Sequence, residues 1–305
     1  MYTFQLERDV PLAPLSTFNI GGEAKYYIRV SNEDNLISAI NWAKTKNIPY
    51  KIFAGGSNVV FPDEGLDCLV IQLIGGDIEI RDNMILSDAG VLLMDVISKT
   101  ILQGLSSLES LSGIPGTIGG AIVGNAGAYG HEIGEIVETV EVLDGSKKVI
   151  LSKNECEFDY RESLFKKKPF ILLRSKLKLK KGDKGKLEKY CQEIIHLREK
   201  KYKPGLKCPG SFFKNILEKD LSTRELNKIN RNKIIYGKLP AGYLLEEVGA
   251  KGMRVGDIEI ADFHGNLFIN RGNGKASDVK QLAFILKERV LGRFGITLEE
   301  EIRYF

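Results

Sequence analysis

"LSGIPGTIGGAIVGNAGAYG", Leu111 to Gly130, holds seven glycines in twenty residues. Glycine has no Cβ, so successive N–H groups in such a run can face a diphosphate at close range. A second run, "AGGSNVVF" from Ala54 to Phe61, follows an apolar strand-like stretch and offers another cradle. Together they point to a nucleotide or dinucleotide cofactor, although either alone reads equally well as an irregular turn or a close-packed crossing. The ordinary dinucleotide fingerprint needs an early strand, GxGxxG, a helix and an acidic residue about 20 positions later. "GIPGTIGG" has no GxGxxG and begins only at Gly113. Diphosphate binding on a different scaffold is therefore the better reading, and the apolar neighbourhood can receive a flat ring system.

Outward from these runs the pattern alternates strands and helices. Strand-like runs are Ala24 to Val30, Tyr50 to Gly55, Cys68 to Leu73, Met84 to Ser87, Glu138 to Leu143 and Phe170 to Leu179. Between the first two, Leu36, Ile37, Ile40 and Ala43 share one helical face. A basic, glycine-containing link, "KLKKGDKGKLEKY", precedes a helical stretch around Tyr190 to Lys200. Beyond it come strand-like "DIEIAD" and "NLFINRG", then a helix opening near Ser277 as its cap, and "ITLEEEIRYF" as a short terminal strand. Composition places the domain boundary near residue 190, giving domains 1–190 and 191–305.

The 305 residues suffice for two domains with sizeable cores. With 44 basic and 40 acidic residues, the net charge of +4 is too evenly mixed for a nucleic-acid platform. Cys68, Cys156, Cys191 and Cys208 follow no metal-knuckle spacing and only three histidines are present, so no metal is expected. The first residues lack a basic region followed by an apolar run, and no stretch approaches the roughly 20 apolar residues that span a bilayer. The expectation is a soluble cytoplasmic protein with no membrane insertion, a monomer being favoured.

Three segments carry candidate chemistry. "FDYRESLFKKK" sets Arg161 and Ser163 among lysines, and "CPGSFFKNI" sets Ser211, Lys214 and Asn215 beside two phenylalanines. An arginine can stabilise developing negative charge, and a serine hydroxyl can deliver a proton where its site tunes it. In "LEEEIRYF", strand alternation puts Glu299, Glu301 and Arg303 on one face and Glu300 and Ile302 on the other. Each segment alone reads more readily as a cap, an ion pair or a solvated edge than as an active-site piece. His264 and His131 read as loop hydrogen-bonders, and Trp42 as a packing residue.

Taken in order, "STFNIGGEAKYYIRV", "AGGSNVVF", "GLSSLESLSGIPGTIGGAIVGNAGAYG", "DYRESLFK", "GSFFKN", "LPAGYLLEEVG" and "LEEEIRYF" resemble the UDP-N-acetylenolpyruvoylglucosamine reductases, from about Ser16 to Arg303. The resemblance implies an α+β flavoenzyme of peptidoglycan precursor synthesis. Its two-part FAD-binding domain would be of the vanillyl-alcohol-oxidase type, with a smaller C-terminal α/β domain for substrate. It implies that NADPH reduces bound FAD, which then reduces the UDP-sugar substrate, UDP-N-acetylglucosamine enolpyruvate, to UDP-N-acetylmuramate. Residue by residue, the matching FAD positions are Ala54, Gly55, Gly56, Ser57, Asn58, Ser112, Gly113, Ile114, Pro115, Gly116, Thr117, Gly119, Gly120 and Asn125. Arg161 matches the arginine of the family's YRxSxF segment, Ser211 the serine that donates a proton, and Glu301 the glutamate of the terminal LxxExR pattern. Glu299 and Glu300 are then neighbours without a role. Glu301 either polarises the substrate carboxylate while protonated or orients Arg161 while ionised. Lys201, Lys214, Asn215 and Glu247 are the matching substrate contacts.

The chain departs from the longer form of the family, which carries a substrate-covering tyrosine loop before GSFFKN. Only the short basic link stands here, so Tyr190 and Tyr202 inherit no role from that loop's tyrosine. Glu247 stands where the family commonly has glutamine, and "FDYR" lacks the small residue often found before the tyrosine. A different flavin-dependent oxidase or dehydrogenase, or a nucleotide-sugar binding protein without chemistry, are the competing readings. Simultaneous presence of Arg161, Ser211 and Glu301 weighs against the last.

Overall fold

The computed structural model describes residues 4–305. They form two compact units that interleave along the chain. The first runs through Val10, Ala24–Gly55 and Asp67–Lys200; the second takes Pro11–Glu23, Gly56–Leu66 and Lys201–Phe305. Composition alone suggested a break near residue 190, but one helix, Lys184–Lys201, runs through that point. Its Leu187 and Cys191 sit in the first unit's core, so the division falls after Lys200.

The first unit has two lobes with separate cores. In one, a four-stranded sheet is ordered Glu7–Pro11, Glu23–Val30, Leu66–Leu73, Tyr50–Phe53, with the last two strands parallel. The helix Glu33–Thr45 covers it, capped by the Asn32 side chain accepting from the Asn35 N–H, with Glu33 and Asp34 in its first turn. Leu36, Ala39, Ile40 and Ala43 are its buried residues, and Ile37 packs against them half-buried. Trp42 is indeed a packing residue, set edge-on to Tyr26 with centroids 5.5 Å apart.

The other lobe is a five-stranded antiparallel sheet ordered Lys147–Ser152, Val137–Asp144, Ile171–Lys178, Met84–Asp88, Ile78–Arg81. Helices Leu93–Leu102 and Ile118–Val123 lay Val96, Ile97, Ile101, Ile118 and Ile122 on a core that includes Ile85, Val140 and Leu177. Alternation along Ile171–Lys178 sets Ser175 and Leu177 inside and Lys176 and Lys178 outside, as a one-faced antiparallel strand requires.

In the second unit a three-stranded antiparallel sheet, Arg254–Val255, Ile258–Ile260 and Phe268–Asn270, packs with helices Ala241–Glu247 and Ala276–Phe294. The long helix starts one residue before Ser277, and Ser277 is not its cap. The carboxylate of Asp63 takes that place from far away in sequence, accepting from the N–H of Ala276 at 2.6 Å, the N–H of Ser277 at 3.0 Å and the Ser277 hydroxyl at 2.9 Å. Asp63 thereby ties its segment to the unit's largest helix. The terminal strand is shorter than expected: Arg303–Tyr304 pairs parallel to Val59–Val60, and just upstream Glu300 forms a single antiparallel bridge with Phe213. The alternation nevertheless extends upstream, with Ile296, Leu298 and Ile302 buried and Glu299 and Arg303 exposed.

All four cysteines are buried and unpaired with one another. Burial pushes the Cys156 thiol up to about 12 and raises those of Cys68 and Cys208, so these sulfurs stay protonated and unreactive. Among the described residues no helix is long and apolar enough to cross a membrane, and no group of three or more His, Cys, Asp or Glu side chains could hold a metal.

Candidate functional site

The glycine segment folds into an irregular loop followed by the short helix Ile118–Val123, whose N-cap Thr117 accepts from the Gly120 N–H at 3.2 Å. Three of its glycines have three different physical reasons. Gly119 is buried and donates to the Ala89 carbonyl at 2.9 Å; a Cβ there would lie 2.9 Å from the Ala89 Cβ, so this glycine serves helix-to-strand packing. Gly116, with φ +120°, lets the loop pass under Gly55, whose own Cβ would sit 2.8 Å from the Gly116 Cα. The two glycine runs thus meet at Gly55 and Gly116. Gly120 has neither reason. It is exposed and helical, and a Cβ on it would touch only the Thr117 Oγ1 at 3.6 Å, an ordinary contact. A glycine inside a helix costs about 1 kcal/mol relative to alanine. No neighbour within the chain requires a glycine at this position, so the face over Gly120 is open to a ligand.

Eight residues earlier in the same segment, the Ser112 hydroxyl is fully buried with no hydrogen-bond partner. A buried unsatisfied polar atom costs about 1 to 3 kcal/mol and is a place for a ligand group. These two observations fit a cofactor lying along Ser112, Gly113, Ile114, Pro115, Gly116, Thr117 and Gly120. Ala54 and Gly55 join this surface in the first unit, the Ala54 carbonyl accepting from the Gln72 side chain at 3.0 Å. Gly56, Ser57 and Asn58 belong to the second unit, where the carbonyls of Gly56 and Ser57 accept from the N–H and hydroxyl of Thr17.

Asn125, expected among the cofactor contacts, directs its side chain into the fold. Its Nδ2 donates to Glu132 Oε2 and to the Asp159 carbonyl, both at 2.8 Å, and its Oδ1 accepts from the Gly134 N–H at 3.0 Å. It therefore clips the end of the glycine segment to the turn that bears Arg161. That turn is closed by reciprocal backbone bonds between Asp159 and Glu162 and holds Arg161 at φ +56°, a sparsely populated conformation for a residue with a side chain. The guanidinium then lies against the glycine segment, donating from Nη2 to the Gly127 carbonyl at 2.8 Å, with the Tyr160 ring centroid 5.4 Å from its Cζ. Ser163 does not face this site; its hydroxyl donates to the Val123 carbonyl at 2.7 Å.

In the second unit, "GSFFKN" and the chain's terminal segment run side by side. Glu301 donates its N–H to the Phe212 carbonyl at 2.8 Å, and Lys214 donates its N–H to the Glu299 carbonyl at 2.8 Å. This places the backbones of Ser211, Lys214, Asn215 and Glu301 in one framework. Asn58 fastens it from the other side: its Nδ2 donates to the Glu301 carbonyl at 3.0 Å and its own carbonyl accepts from the Arg303 N–H at 3.0 Å. Glu299 is occupied by the nearly buried Lys214 ammonium at 2.5 Å, and Glu300 by Lys287. Asn215 Oδ1 accepts from the Ala241 N–H at 3.1 Å. Glu247 stands apart, exposed and paired with Arg293 at 2.6 Å on the long helix. Lys201 sets its ammonium 5.0 Å from the Tyr202 ring centroid.

Two residues given no role by the sequence reading shape this site. Asn266, fully within the core, clips Phe213 from both sides: Oδ1 accepts its N–H and Nδ2 donates to its carbonyl, each at 2.8 Å. Tyr202 places its hydroxyl 2.9 Å from the Ser211 Oγ. "HGNLF" and "KKYKP" contain no local signal for either contact. His264 behaves as the expected loop hydrogen-bonder, its Nδ1 accepting from the Asn266 N–H at 3.0 Å. Burial, helped by the charge of Lys201, pushes its pKa down to about 4, so it is neutral at pH 7. His131 is exposed beside Glu135 at 3.2 Å.

The chain is similar to known proteins over nearly its whole length. Residues 202–305 match the family model "UDP-N-acetylenolpyruvoylglucosamine reductase, C-terminal domain", and residues 24–151 match the "FAD binding domain" model. The chain is 39% identical over 295 residues to the UDP-N-acetylenolpyruvoylglucosamine reductase of Solibacter usitatus, covering 96% of this chain and 95% of that one. It is 33% identical over 298 residues to the reductase of the same name from Pseudothermotoga lettingae, covering 98% and 97%. The crystal structure of the Thermus caldophilus UDP-N-acetylenolpyruvylglucosamine reductase superposes with a TM-score of 0.77 at 31% identity, covering 99% of each chain. FAD is accordingly the cofactor of the first unit's α+β fold. On the matching of both domain models and whole-length relatives, the chain belongs to the UDP-N-acetylenolpyruvoylglucosamine reductase family.

Proposed function

We propose that this protein is an NADPH-dependent reductase that converts UDP-N-acetylglucosamine enolpyruvate to UDP-N-acetylmuramate, with Arg161, Ser211 and Glu301 as its catalytic residues. The observation that carries this reading is the doubly bonded pairing of the GSFFKN segment with the terminal segment, which holds Ser211 and Glu301 on adjacent backbone. FAD, when bound, supplies the means to take hydride from the nicotinamide and pass it to the terminal enolpyruvyl carbon.

The chain's own residues then deal with charge and protons. Electron density displaced by hydride addition builds toward the substrate carboxylate as an enolate. Arg161, held in a strained turn and already anchored through Nη2, answers that charge without reorganising. The Ser211 hydroxyl delivers a proton to the carbon bearing the carboxylate, and Glu301 orients or polarises the carboxylate end. Asn215 serves the uridyl or phosphate part. Lys214, its ammonium kept in place by Glu299, and Lys201 are further substrate contacts in this reading. Asn58 and Asn125 act as clips, one for Glu301 and one for the Arg161 turn. Glu247, engaged with Arg293, contributes to substrate only by leaving that ion pair.

Anaerobic stopped-flow absorbance of the flavin-loaded protein tests the proposal. NADPH should bleach the band near roughly 450 nm, and the enolpyruvyl substrate should restore it. Bleaching without recovery rejects the substrate. Turnover of an alcohol or amine driven by oxygen, with no NADPH bleaching, points to an oxidase instead.

A further inference from the structure

The Ser211 hydroxyl does not stand alone: the Tyr202 hydroxyl lies 2.9 Å from it. Both are held by the same small core. The Tyr202 ring packs on Cys208, Ala261, Leu267 and Ile269, and Leu267 forms a backbone bridge with Ser211 itself. Tyr202 is half-buried, part of its surface open to solvent, and the Lys201 ammonium lies 5.0 Å from its ring centroid. An aliphatic alcohol that gives its proton to carbon becomes an alkoxide, which a site must neutralise at once. A phenol is the stronger acid of the two hydroxyl classes and transfers its proton to an alkoxide readily.

We propose that Tyr202 is a proton relay and positioning residue behind Ser211, reprotonating the serine as the serine protonates substrate. This rests on the reading of Ser211 as donor given above. Hydride addition at the terminal carbon leaves an electron pair delocalised between the adjacent carbon and the carboxylate. That pair forms the new C–H bond with the Ser211 proton. The O–H bond of Ser211 is remade with the Tyr202 proton, and the Tyr202 phenolate, steadied by Lys201, takes a proton from water. No oxidant or reductant enters these transfers. The tyrosine thereby performs work close to the substrate although the chain has no covering tyrosine loop.

The experiment compares native protein with Tyr202→Phe, both flavin-loaded, in separate half-reactions and in mixtures of H2O and D2O. Flavin reduction by NADPH should stay within about twofold, while reoxidation by the enolpyruvyl substrate should slow about tenfold or more. The reoxidation rate of native protein should bend against the deuterium fraction, as two moving protons require, and that of Tyr202→Phe should fall on a straight line. A straight line in native protein, the same curvature in both, or an unslowed variant overturns the relay. Fluorinated tyrosine at position 202, which preserves shape and acidifies the phenol, should move the alkaline limb of the reoxidation profile to lower pH; an unmoved limb also overturns it. Native protein that is never reoxidised by this substrate defeats the underlying activity and the relay together, whereas normal native turnover with an insensitive variant defeats the relay alone.

Discussion

Replacing Gly120 by alanine should strengthen the protein and weaken its cofactor. The glycine is exposed inside the helix Ile118–Val123, and the added methyl would meet only Thr117 Oγ1 at 3.6 Å. Helix propensity alone then favours the variant by about 0.5 to 1 kcal/mol in the deflavinated state. If FAD lies against this open face, the same methyl stands in its place. Overpacking of that kind costs about 1 to 3 kcal/mol, equivalent to a loss of about fivefold to more than a hundredfold in affinity. Gly55→Ala provides the contrast. Its Cβ, 2.8 Å from the Gly116 Cα, must be displaced by about 0.6 Å to reach ordinary contact, and both neighbours are backbone. That variant should lose stability and cofactor affinity together. Urea unfolding of the deflavinated proteins and fluorescence titration with FAD measure the two quantities. A Gly120→Ala protein that binds FAD within twofold of native refutes the assignment of this face to the cofactor.

Three further outcomes follow from the second unit. Ser211→Ala should leave flavin reduction by NADPH intact and slow substrate-driven reoxidation by at least about a hundredfold; equal loss in both half-reactions would remove the serine from proton donation. Asn266→Ala strips the fully buried Phe213 of both side-chain hydrogen bonds and should cost about 3 kcal/mol in chemical unfolding, with a cost below about 1 kcal/mol contradicting the clip. His264 is held down to about 4 when folded against about 6.5 when unfolded, so the unfolded chain binds more protons between those values. Stability should therefore be full above about pH 6.5 and fall by up to about 3 kcal/mol as pH drops to about 4. His264→Gln should flatten that slope, measured by urea unfolding at several pH values.

Local pattern was enough for most elements. Alternation and apolar runs located the strands Glu23–Val30, Leu66–Leu73, Met84–Asp88, Val137–Asp144 and Ile171–Lys178, because a one-faced or buried strand writes its environment into successive residues. The last helix was visible in its apolar spacing, but its cap was not, since Asp63 comes from another segment. The two glycine runs announced close backbone approach without distinguishing its causes. Gly119 answers to Ala89, Gly55 and Gly116 to each other, and Gly120 to no close approach, meeting only Thr117 Oγ1 at an ordinary 3.6 Å.

By itself the sequence determined the fold class and the family, and it nominated Arg161, Ser211 and Glu301 for the proposed chemistry, because each depends on residue types in a fixed linear order. Tertiary structure alone decided what stands beside them. Hydrogen bonds between residues far apart in the chain, such as Asn58 with Glu301 and Asn266 with Phe213, leave no periodicity for a linear reading to detect. The Tyr202 hydroxyl beside Ser211 is only nine residues away in sequence, yet an irregular loop separates them, and only its folded path brings the two oxygens within hydrogen-bond reach.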